Sequence, residues 1–162
     1  MVQAIKFGFE VNEMKALLVI DVQDSYMKRY EPDLLEQINK CIKNAYNNQY
    51  NIIYVKNTKR LRSGSVTEKL ADGLDVISDL VFCKEQANAF TSEEIIMDLQ
   101  SKNISEVEII GIDGNSCVAA SAKGAAKMGF HTTINLDCVG VSNLQRFETT
   151  KEQLLKLGVV LR

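Results

Sequence analysis

Four residues that could do chemistry stand directly after apolar segments of the chain. They are Asp21, Lys84, Cys117 and Asp137. If these segments are parallel strands, their carboxyl ends meet at one edge of a sheet, which is where open parallel sheets bind ligands. Each strand-end residue alone is more often structural than catalytic. A thiol, a carboxylate and an ammonium group at the same edge, however, favour nucleophilic catalysis.

Cys117 is the candidate nucleophile. It opens the segment CVAASAKGAAKM, whose small residues are typical of a helix packed closely on a sheet and which Gly129 closes. A cysteine at a helix N-terminus faces unpaired N–H groups and the positive end of the helix dipole, and both favour the thiolate. The alternative is a buried small hydrophobic residue, which is our interpretation of Cys41, Cys83 and Cys138.

The base that accepts the thiol proton is predicted to be a carboxylate. Histidine is the usual base, but the single histidine, His131, follows the helix that begins at Cys117. That helix, at roughly 1.5 Å per residue, places His131 on the order of 18 Å from the thiol. Asp21 follows a central strand at the correct edge and is the candidate base. Lys84 would lower the pKa of the thiol and keep Asp21 ionised.

Other kinds of site are not expected. One histidine is too few for an ordinary hydrolytic zinc site, so we predict no metal and no cofactor. Gly111, Gly114 and Gly124 form neither the GxGxxG nor the P-loop pattern, although a flavodoxin-like binding module would share the predicted architecture. The net charge of -2, without a dense basic run, predicts no nucleic-acid partner and favours a small-molecule substrate.

The elements that position these residues alternate between strands and helices. This alternation, without hairpin signals, predicts a three-layer α/β/α, Rossmann-like fold with a mostly parallel six-stranded sheet. The polar stretch 57–75 is predicted to be a long loop. Strands are predicted at 15–21, 51–56, 81–83, 107–112, 132–136 and 159–161, and helices at 32–47, 92–100, 117–128 and 149–157.

The chain length of 162 residues suits one domain, predicted at 14–162. Residues 1–13 are predicted to be an N-terminal extension, either preceding a natural start at Met14 or packing as an extra strand or arm. No apolar run is long enough to span a bilayer, and no signal-peptide pattern is present. The four cysteines lack CxxC spacing, which argues against disulfides or structural zinc. A cytoplasmic protein without membrane contact is expected.

Three segments resemble the isochorismatase-like cysteine hydrolases, which include nicotinamidases, pyrazinamidases and carbamoylsarcosine amidase. They are ALLVIDVQDSY, KEQANAF and GIDGNSCVAASAKGAAKMGFHTTINLDCVG, and the resemblance covers nearly everything after Met14. It implies Asp21, Lys84 and Cys117 as the catalytic residues of a single hydrolase domain. It also implies a homodimer or larger homo-oligomer.

The resemblance further implies a mechanism. Asp21 takes the thiol proton, Cys117 attacks a carbonyl group, and water later hydrolyses the acyl-enzyme. If the substrate is an amide, ammonia leaves first. The resemblance also implies a cis peptide bond between Ile112 and Asp113, with the N–H groups of Asp113 and Cys117 forming the oxyanion hole.

Some residues depart from the family pattern. The segment NTKRLRSGS lacks the aspartate and histidines that metal-dependent nicotinamidases carry after the second strand, which weakens that interpretation. Gly114 replaces the usual threonine of the turn. Asp113 adds an acid that would disfavour an anionic substrate unless the basic loop residues Lys59, Arg60 or Arg62 compensate, although such a stretch is usually a solvated loop.

The sequence therefore predicts a cysteine hydrolase that cleaves a small amide or related acyl substrate through a Cys117 thioester. Tyr26 and Phe90 are candidates for the apolar lining of the pocket, although core packing would explain both. One alternative is a catalytically idle relative that binds a small molecule or a protein and has an unreactive Cys117. Another is a redox role for Cys117.

Overall fold

The computed structural model describes residues 14–61, 64–66 and 69–162, so the prediction for residues 1–13 lies outside it. Six parallel strands form one sheet in the order β5-β2-β1-β6-β7-β8, and β3 and β4 pair as a separate antiparallel hairpin. The strands are β1 (Met14–Ile20), β2 (Asn51–Asn57), β3 (Lys59–Leu61), β4 (Gly64–Val66), β5 (Val81–Lys84), β6 (Ile104–Ile112), β7 (His131–Gly140) and β8 (Val160–Leu161).

The central strand β1 shows why the sheet forms. Its apolar run is continuous because both of its faces are covered, as expected for an internal parallel strand. Ala16, Leu18 and Ile20 enter the core on one face, and Leu17 and Val19 enter the core on the other. All five side chains are buried, so β1 fixes the middle of the molecule and the place where its carboxyl end emerges.

Helices cover both faces of the sheet and make the molecule three-layered. The helices are α1 (Asp24–Met27), α2 (Asp33–Asn47), α3 (Glu93–Ser101), α4 (Cys117–Lys127) and α5 (Leu144–Lys156). The apolar stripe of α2 packs on one face, whereas α3, α4 and α5 pack on the other. The small residues of α4 allow a close approach: a Cβ atom at Gly124 would lie 2.4 Å from the side-chain oxygen of Asn88. The predicted fold is confirmed.

Several boundaries differ from the prediction. The long loop contains the β3–β4 hairpin, whose strands of three residues are too short to show a hydrophobic alternation. Strand β7 shifts its register against β6 and continues to Gly140, so Asp137 is an exposed residue within the strand rather than a strand-end candidate. Helix α5 begins early because the Asn143 side chain accepts a hydrogen bond from the Arg146 N–H group and caps it.

Candidate active site

The sheet edge brings the three predicted catalytic residues together. Asp21 directly follows β1, Lys84 ends β5, and Cys117 opens α4 in the turn after β6. The Lys84 Nζ atom lies 3.2 Å from Asp21 Oδ2, and each residue is only 2% exposed. Since β2 separates β5 from β1 in the sheet, the lysine side chain crosses the end of β2 to reach the aspartate. A second bond of 3.0 Å, from Nζ to the Gln86 carbonyl oxygen, fixes the ammonium group there.

Among the described residues, the Asp21 carboxylate has a hydrogen-bond partner for only one of its two oxygens. Its backbone has φ 55°, a left-handed conformation uncommon for a non-glycine residue, and its N–H group donates to the Val55 carbonyl oxygen at 2.9 Å. Oδ1 has no hydrogen-bond partner among the described residues. The Cys117 thiol and the Asn57 amide lie close enough to favour the carboxylate, but outside hydrogen-bond geometry. Burial nevertheless dominates and raises the pKa of Asp21 above 3.8, despite the attraction of Lys84.

Cys117 is 9% exposed at the first position of α4. Its Sγ atom lies 3.9 Å from Asn57 Nδ2 and 3.9 Å from Ser116 Oγ. Burial, followed by the negative charge of Asp21, raises the pKa of this thiol, and the ammonium group of Lys84 only partly offsets them. The expected lowering of the thiol pKa is therefore wrong in its net direction. The Cys117 thiol therefore holds its proton more tightly than a free cysteine does, beside the buried Asp21 carboxylate.

The turn before α4 presents two backbone donors. The peptide bond between Ile112 and Asp113 is cis, as the family resemblance implied. The N–H groups of Asp113 and Cys117, predicted to form the oxyanion hole, have no acceptor among the described residues. They are therefore free to donate to a ligand oxygen, as the donors of an oxyanion hole must be.

Unlike the backbone N–H group of the same residue, the Asp113 side chain is fully engaged in hydrogen bonds. Its Oδ2 atom accepts hydrogen bonds from the Tyr30 hydroxyl and from the Ser142 N–H group, both at 2.8 Å. Its Oδ1 atom accepts from the Asn115 N–H group at 2.9 Å. Burial and the bond to Asp113 raise the pKa of Tyr30. Three donors thus engage this carboxylate, which ties the turn to neighbouring segments.

A cleft of about 360 Å³ opens onto the Cys117 thiol, a volume that suits a small ligand. Tyr26 lies in its wall, where the sequence placed it. Phe90 does not line it, and that prediction is wrong. The 3-10 turn Ala89–Thr91 packs against the core, and the Phe90 ring contacts Phe130 with a centroid distance of 5.6 Å. A larger groove of about 440 Å³ runs along α2 and is lined by no cysteine.

Several polar residues of the cleft were missed by the sequence reasoning, among them Asn57, Arg29 and Arg146. Asn57 directly follows the predicted strand 51–56 and is the last residue of β2, so the strand-end rule could have identified it. The two arginines follow no strand and carried no signal. The side chains of Lys59, Arg60 and Arg62, suggested as compensating charges, lie outside the described residues.

The remaining cysteines and the histidine are away from this site. Cys41 and Cys138 are buried, as interpreted. Cys83 is exposed, which contradicts its interpretation as buried, because β5 is an edge strand with an uncovered face. His131 begins β7, and its Nε2 atom lies 3.8 Å from Glu106. Because α4 separates it from Cys117 along the chain, it starts its strand at the opposite edge of the sheet.

The isochorismatase domain pattern matches residues 15–161, almost the whole chain. The chain belongs to the isochorismatase family. Its assignment as an isochorismatase-like hydrolase, predicted from the three sequence motifs, is confirmed. No curated protein sequence gives a significant match to this family member.

Solved structures share the fold of this isochorismatase-family chain. The pyrazinamidase of Pyrococcus horikoshii in complex with zinc is 20% identical, covers 91% of this chain and 98% of its own, and has a TM-score of 0.77. An isochorismatase family protein of Desulfovibrio vulgaris is 16% identical, with coverage of 93% and 94% and a TM-score of 0.82. The N-carbamoylsarcosine amidase of Thermoplasma acidophilum is 16% identical, with coverage of 92% and 95% and a TM-score of 0.78.

A metal centre does not fit the residues of this family member that the structure describes. Within residues 14–61, 64–66 and 69–162, no group of three or more His, Cys, Asp or Glu side chains could hold a metal ion. Apart from the Asp21 and Asp113 carboxylates and the Cys117 thiol, the cleft offers amide, hydroxyl and guanidinium groups, which are poor ligands for zinc. The helices of the described segments also include none with the length and apolar character required to cross a membrane.

Proposed function

We propose that this isochorismatase-family hydrolase cleaves a small carboxamide through a thioester on Cys117, with Asp21 as the base. The observation that carries the proposal is the placement of a buried thiol beside a buried carboxylate that has one unpartnered oxygen. The raised pKa of the Asp21 carboxyl makes this group a stronger base than an exposed aspartate, which favours its acceptance of the thiol proton.

The first half of the reaction forms the thioester. Asp21 accepts the proton of the Cys117 thiol while sulfur bonds to the carbonyl carbon, and the carbonyl oxygen becomes an oxyanion. The N–H groups of Asp113 and Cys117 donate to that oxyanion. The protonated Asp21 then gives its proton to the amide nitrogen, the C–N bond breaks, and ammonia leaves.

The second half releases the acid. A water molecule enters the position of the departed ammonia, Asp21 accepts one of its protons, and its oxygen attacks the thioester carbon. The C–S bond breaks, and the sulfur recovers the proton from Asp21. Lys84 stays bound to Asp21 Oδ2 throughout and keeps the buried carboxylate available as a base.

The similar solved structures favour amide chemistry over other acyl chemistry. Two of the similar structures carry the names pyrazinamidase and N-carbamoylsarcosine amidase. The cleft also suits an amide that carries a negative charge. Three hydrogen bonds engage the Asp113 carboxylate, and the Arg29 and Arg146 side chains line the opening without an ion-pair partner among the described residues. Both neutral and carboxylate-bearing amides therefore belong in a substrate panel.

The test is ammonia release from pyrazinamide, nicotinamide and N-carbamoylsarcosine by the wild type and by Cys117→Ala. Ammonia from at least one compound is expected with the wild type only, together with an acyl adduct on Cys117 in a rapidly quenched sample. The proposal fails if no compound gives ammonia above the Cys117→Ala background. Oxidation of Cys117 by peroxide without hydrolysis would favour the redox role, and an unreactive Cys117 would favour an idle binding relative.

We also propose that the protein forms a homodimer or a larger homo-oligomer. The family resemblance is the support for this proposal. Light scattering coupled to size-exclusion chromatography gives the mass directly, and a mass near the 18.1 kDa of one chain would contradict it.

A further inference from the structure

Asn57 occupies a fixed position at the floor of the cleft. It ends β2, beside the end of β1 that leads into Asp21, and is 8% exposed. Its backbone is clamped by the fully buried Gln23, whose Oε1 atom accepts from the Asn57 N–H group at 2.8 Å. The Gln23 Nε2 atom donates to the Asn57 carbonyl oxygen at 3.4 Å. These two hydrogen bonds to the Asn57 backbone therefore fix the position from which the Asn57 side chain extends.

The two ends of the Asn57 amide have different surroundings. Its Nδ2 atom donates to Cys117 Sγ at 3.9 Å, and the same amide group also favours the Asp21 carboxylate. The Asp21 carboxylate can only accept, so it orients the NH2 group toward itself and toward the neighbouring Cys117 sulfur. The Oδ1 atom must then face away from both. It is buried and has no hydrogen-bond partner among the described residues.

A buried acceptor without a donor is costly, and buried polar groups are nearly always paired. Because Asn57 lines the cleft next to the attacking sulfur, a bound substrate is the obvious source of the donor. The donor must lie beside the carbon that Cys117 attacks. In a carboxamide, that position carries an N–H group, whereas in an ester the corresponding oxygen carries no hydrogen.

We propose that Asn57 is the residue that selects carboxamides over esters. Its Oδ1 atom accepts a hydrogen bond from the substrate amide N–H, while its Nδ2 atom donates to the Cys117 sulfur. One side chain thus aligns the leaving nitrogen and the nucleophile with each other. The inference rests on the proposed amidase function, since it specifies which acyl compounds the Cys117 site takes.

The experiment compares hydrolysis of pyrazinamide and of the matched ester, methyl pyrazine-2-carboxylate, by the wild type, Asn57→Leu and Asn57→Asp. Leucine has a similar size but neither polar atom, whereas aspartate keeps an acceptor and loses the NH2 donor. We expect Asn57→Leu to lower the amide-to-ester ratio of kcat/KM by about tenfold or more, since a site that pairs a substrate N–H discriminates strongly against analogues that lack it. Asn57→Asp should keep the ratio while slowing both reactions.

A second measurement follows the Nδ2 contact without any substrate. The rate of iodoacetamide alkylation of Cys117 is measured against pH by peptide mass spectrometry, with the exposed Cys83 as a reference thiol in the same sample. Loss of the Nδ2 donor should shift the Cys117 profile to higher pH in both Asn57 variants, and further in Asn57→Asp because of its added negative charge. Asn39→Leu, on α2 outside the cleft, is the matched control and should change neither readout.

The outcomes separate this inference from the proposed function. If the wild type hydrolyses the amide and Asn57→Leu keeps the wild-type ratio within about twofold, the selection role is wrong and the amidase stands. If the wild type hydrolyses neither compound of this pair nor any amide of the panel, the proposed function fails, and the selection role fails with it. An unshifted alkylation profile in both variants overturns the proposed Nδ2 contact with sulfur.

Discussion

Asp21 and Glu108 are both buried carboxylates that face a cation, yet their surroundings differ. Glu108 has donors on both oxygens: Arg162 pairs with Oε1, and the Cys41 thiol donates to Oε2 at 3.9 Å. Asp21 has Lys84 on one oxygen and no partner for the other among the described residues. The Arg162 side chain is 60% exposed, whereas the Lys84 side chain is completely buried.

Under the proposed mechanism, this difference separates a structural carboxylate, Glu108, from a reactive one, Asp21. A satisfied carboxylate has its charge distributed over its donors and gains little from a proton, whereas an unsatisfied buried carboxylate readily takes one. Asp113 belongs with Glu108 by this criterion, although it lies in the cleft, because three donors engage its oxygens. The acids of this molecule are thus distinguished by their hydrogen bonds better than by their distance from Cys117.

The largest expected effect comes from Asp21→Asn. Removing the base should lower kcat for the best substrate of the panel by about 10² to 10⁴, the usual contribution of a positioned general base. The Cys117 thiol should at the same time become more acidic, since the negative charge that raises its pKa is gone. Steady-state kinetics and the alkylation profile measure the two effects. A variant with wild-type kcat would show that the unsatisfied carboxylate is not the base.

Lys84→Met sharpens the comparison through stability. Methionine keeps the length of the side chain but leaves Asp21 as an unpaired buried charge, which should lower the free energy of unfolding at pH 7.5 by about 3–5 kcal/mol. The pKa of Asp21 is already above 3.8 and rises further without Lys84. Folded Lys84→Met then holds the Asp21 proton more tightly than the unfolded chain does. The variant therefore loses stability as the pH rises from about 3.8 through the higher Asp21 pKa of the folded protein, and it regains stability on acidification.

Urea unfolding of Lys84→Met and the wild type at pH 7.5 and pH 5 measures this loss. The difference between the two proteins should shrink at the lower pH. If the free energy of unfolding of Lys84→Met is lower than that of the wild type by the same amount at pH 7.5 and at pH 5, Asp21 does not take up a proton when its cation is removed.

Asp113→Asn tests whether an acid of the cleft can be purely structural. Asparagine offers one acceptor oxygen, and its NH2 group would face a backbone N–H group of Asn115 or Ser142. We expect the free energy of unfolding to fall by about 1–3 kcal/mol, while kcat falls far less than in Asp21→Asn. Tyr30→Phe, which removes only one of the three donors, is the milder control. A kcat loss as large as that of Asp21→Asn would assign Asp113 a direct chemical role.

The smallest effect is expected for Glu108→Gln. Glutamine still accepts from Arg162, and the guanidinium group is largely solvated, so the free energy of unfolding should change by less than about 1 kcal/mol. Thermal and urea unfolding of Glu108→Gln, Lys84→Met and the wild type under the same conditions compare the stability losses at the two ion pairs. A loss of several kcal/mol would remove the distinction between the two ion pairs.

The sequence was sufficient for the fold and for three side chains of the site. The continuous apolar run of β1 and the small residues of α4 are local signals of a buried parallel strand and a closely packed helix. The residues that follow β1, end β5 and open α4 meet because parallel strands end at a common edge. Asp21, Lys84 and Cys117 could therefore be brought together without knowledge of any contact.

Other features depend on packing that no local pattern encodes. Phe90 and Cys83 were misplaced because the burial of one side chain depends on which element covers it, and an edge strand has an uncovered face. Whether the pKa of Cys117 is raised or lowered depends on the balance between its burial and the charges of Asp21 and Lys84. That balance is set by the packing of the folded protein and cannot be obtained from the sequence. The pairing of Arg162 with Glu108 joins residues 54 positions apart.

The route of Lys84 across the end of β2 has a consequence for how the protein acquires its activity. The lysine comes from β5, a four-residue strand at the margin of the sheet, while Asp21 and Cys117 belong to its centre. A folding intermediate with the five other strands in place would contain the nucleophile and the base without their cation. Under the proposed mechanism, competence for hydrolysis would therefore arrive with the docking of a peripheral strand, and local opening of that strand would switch the enzyme off before the rest of the chain unfolds.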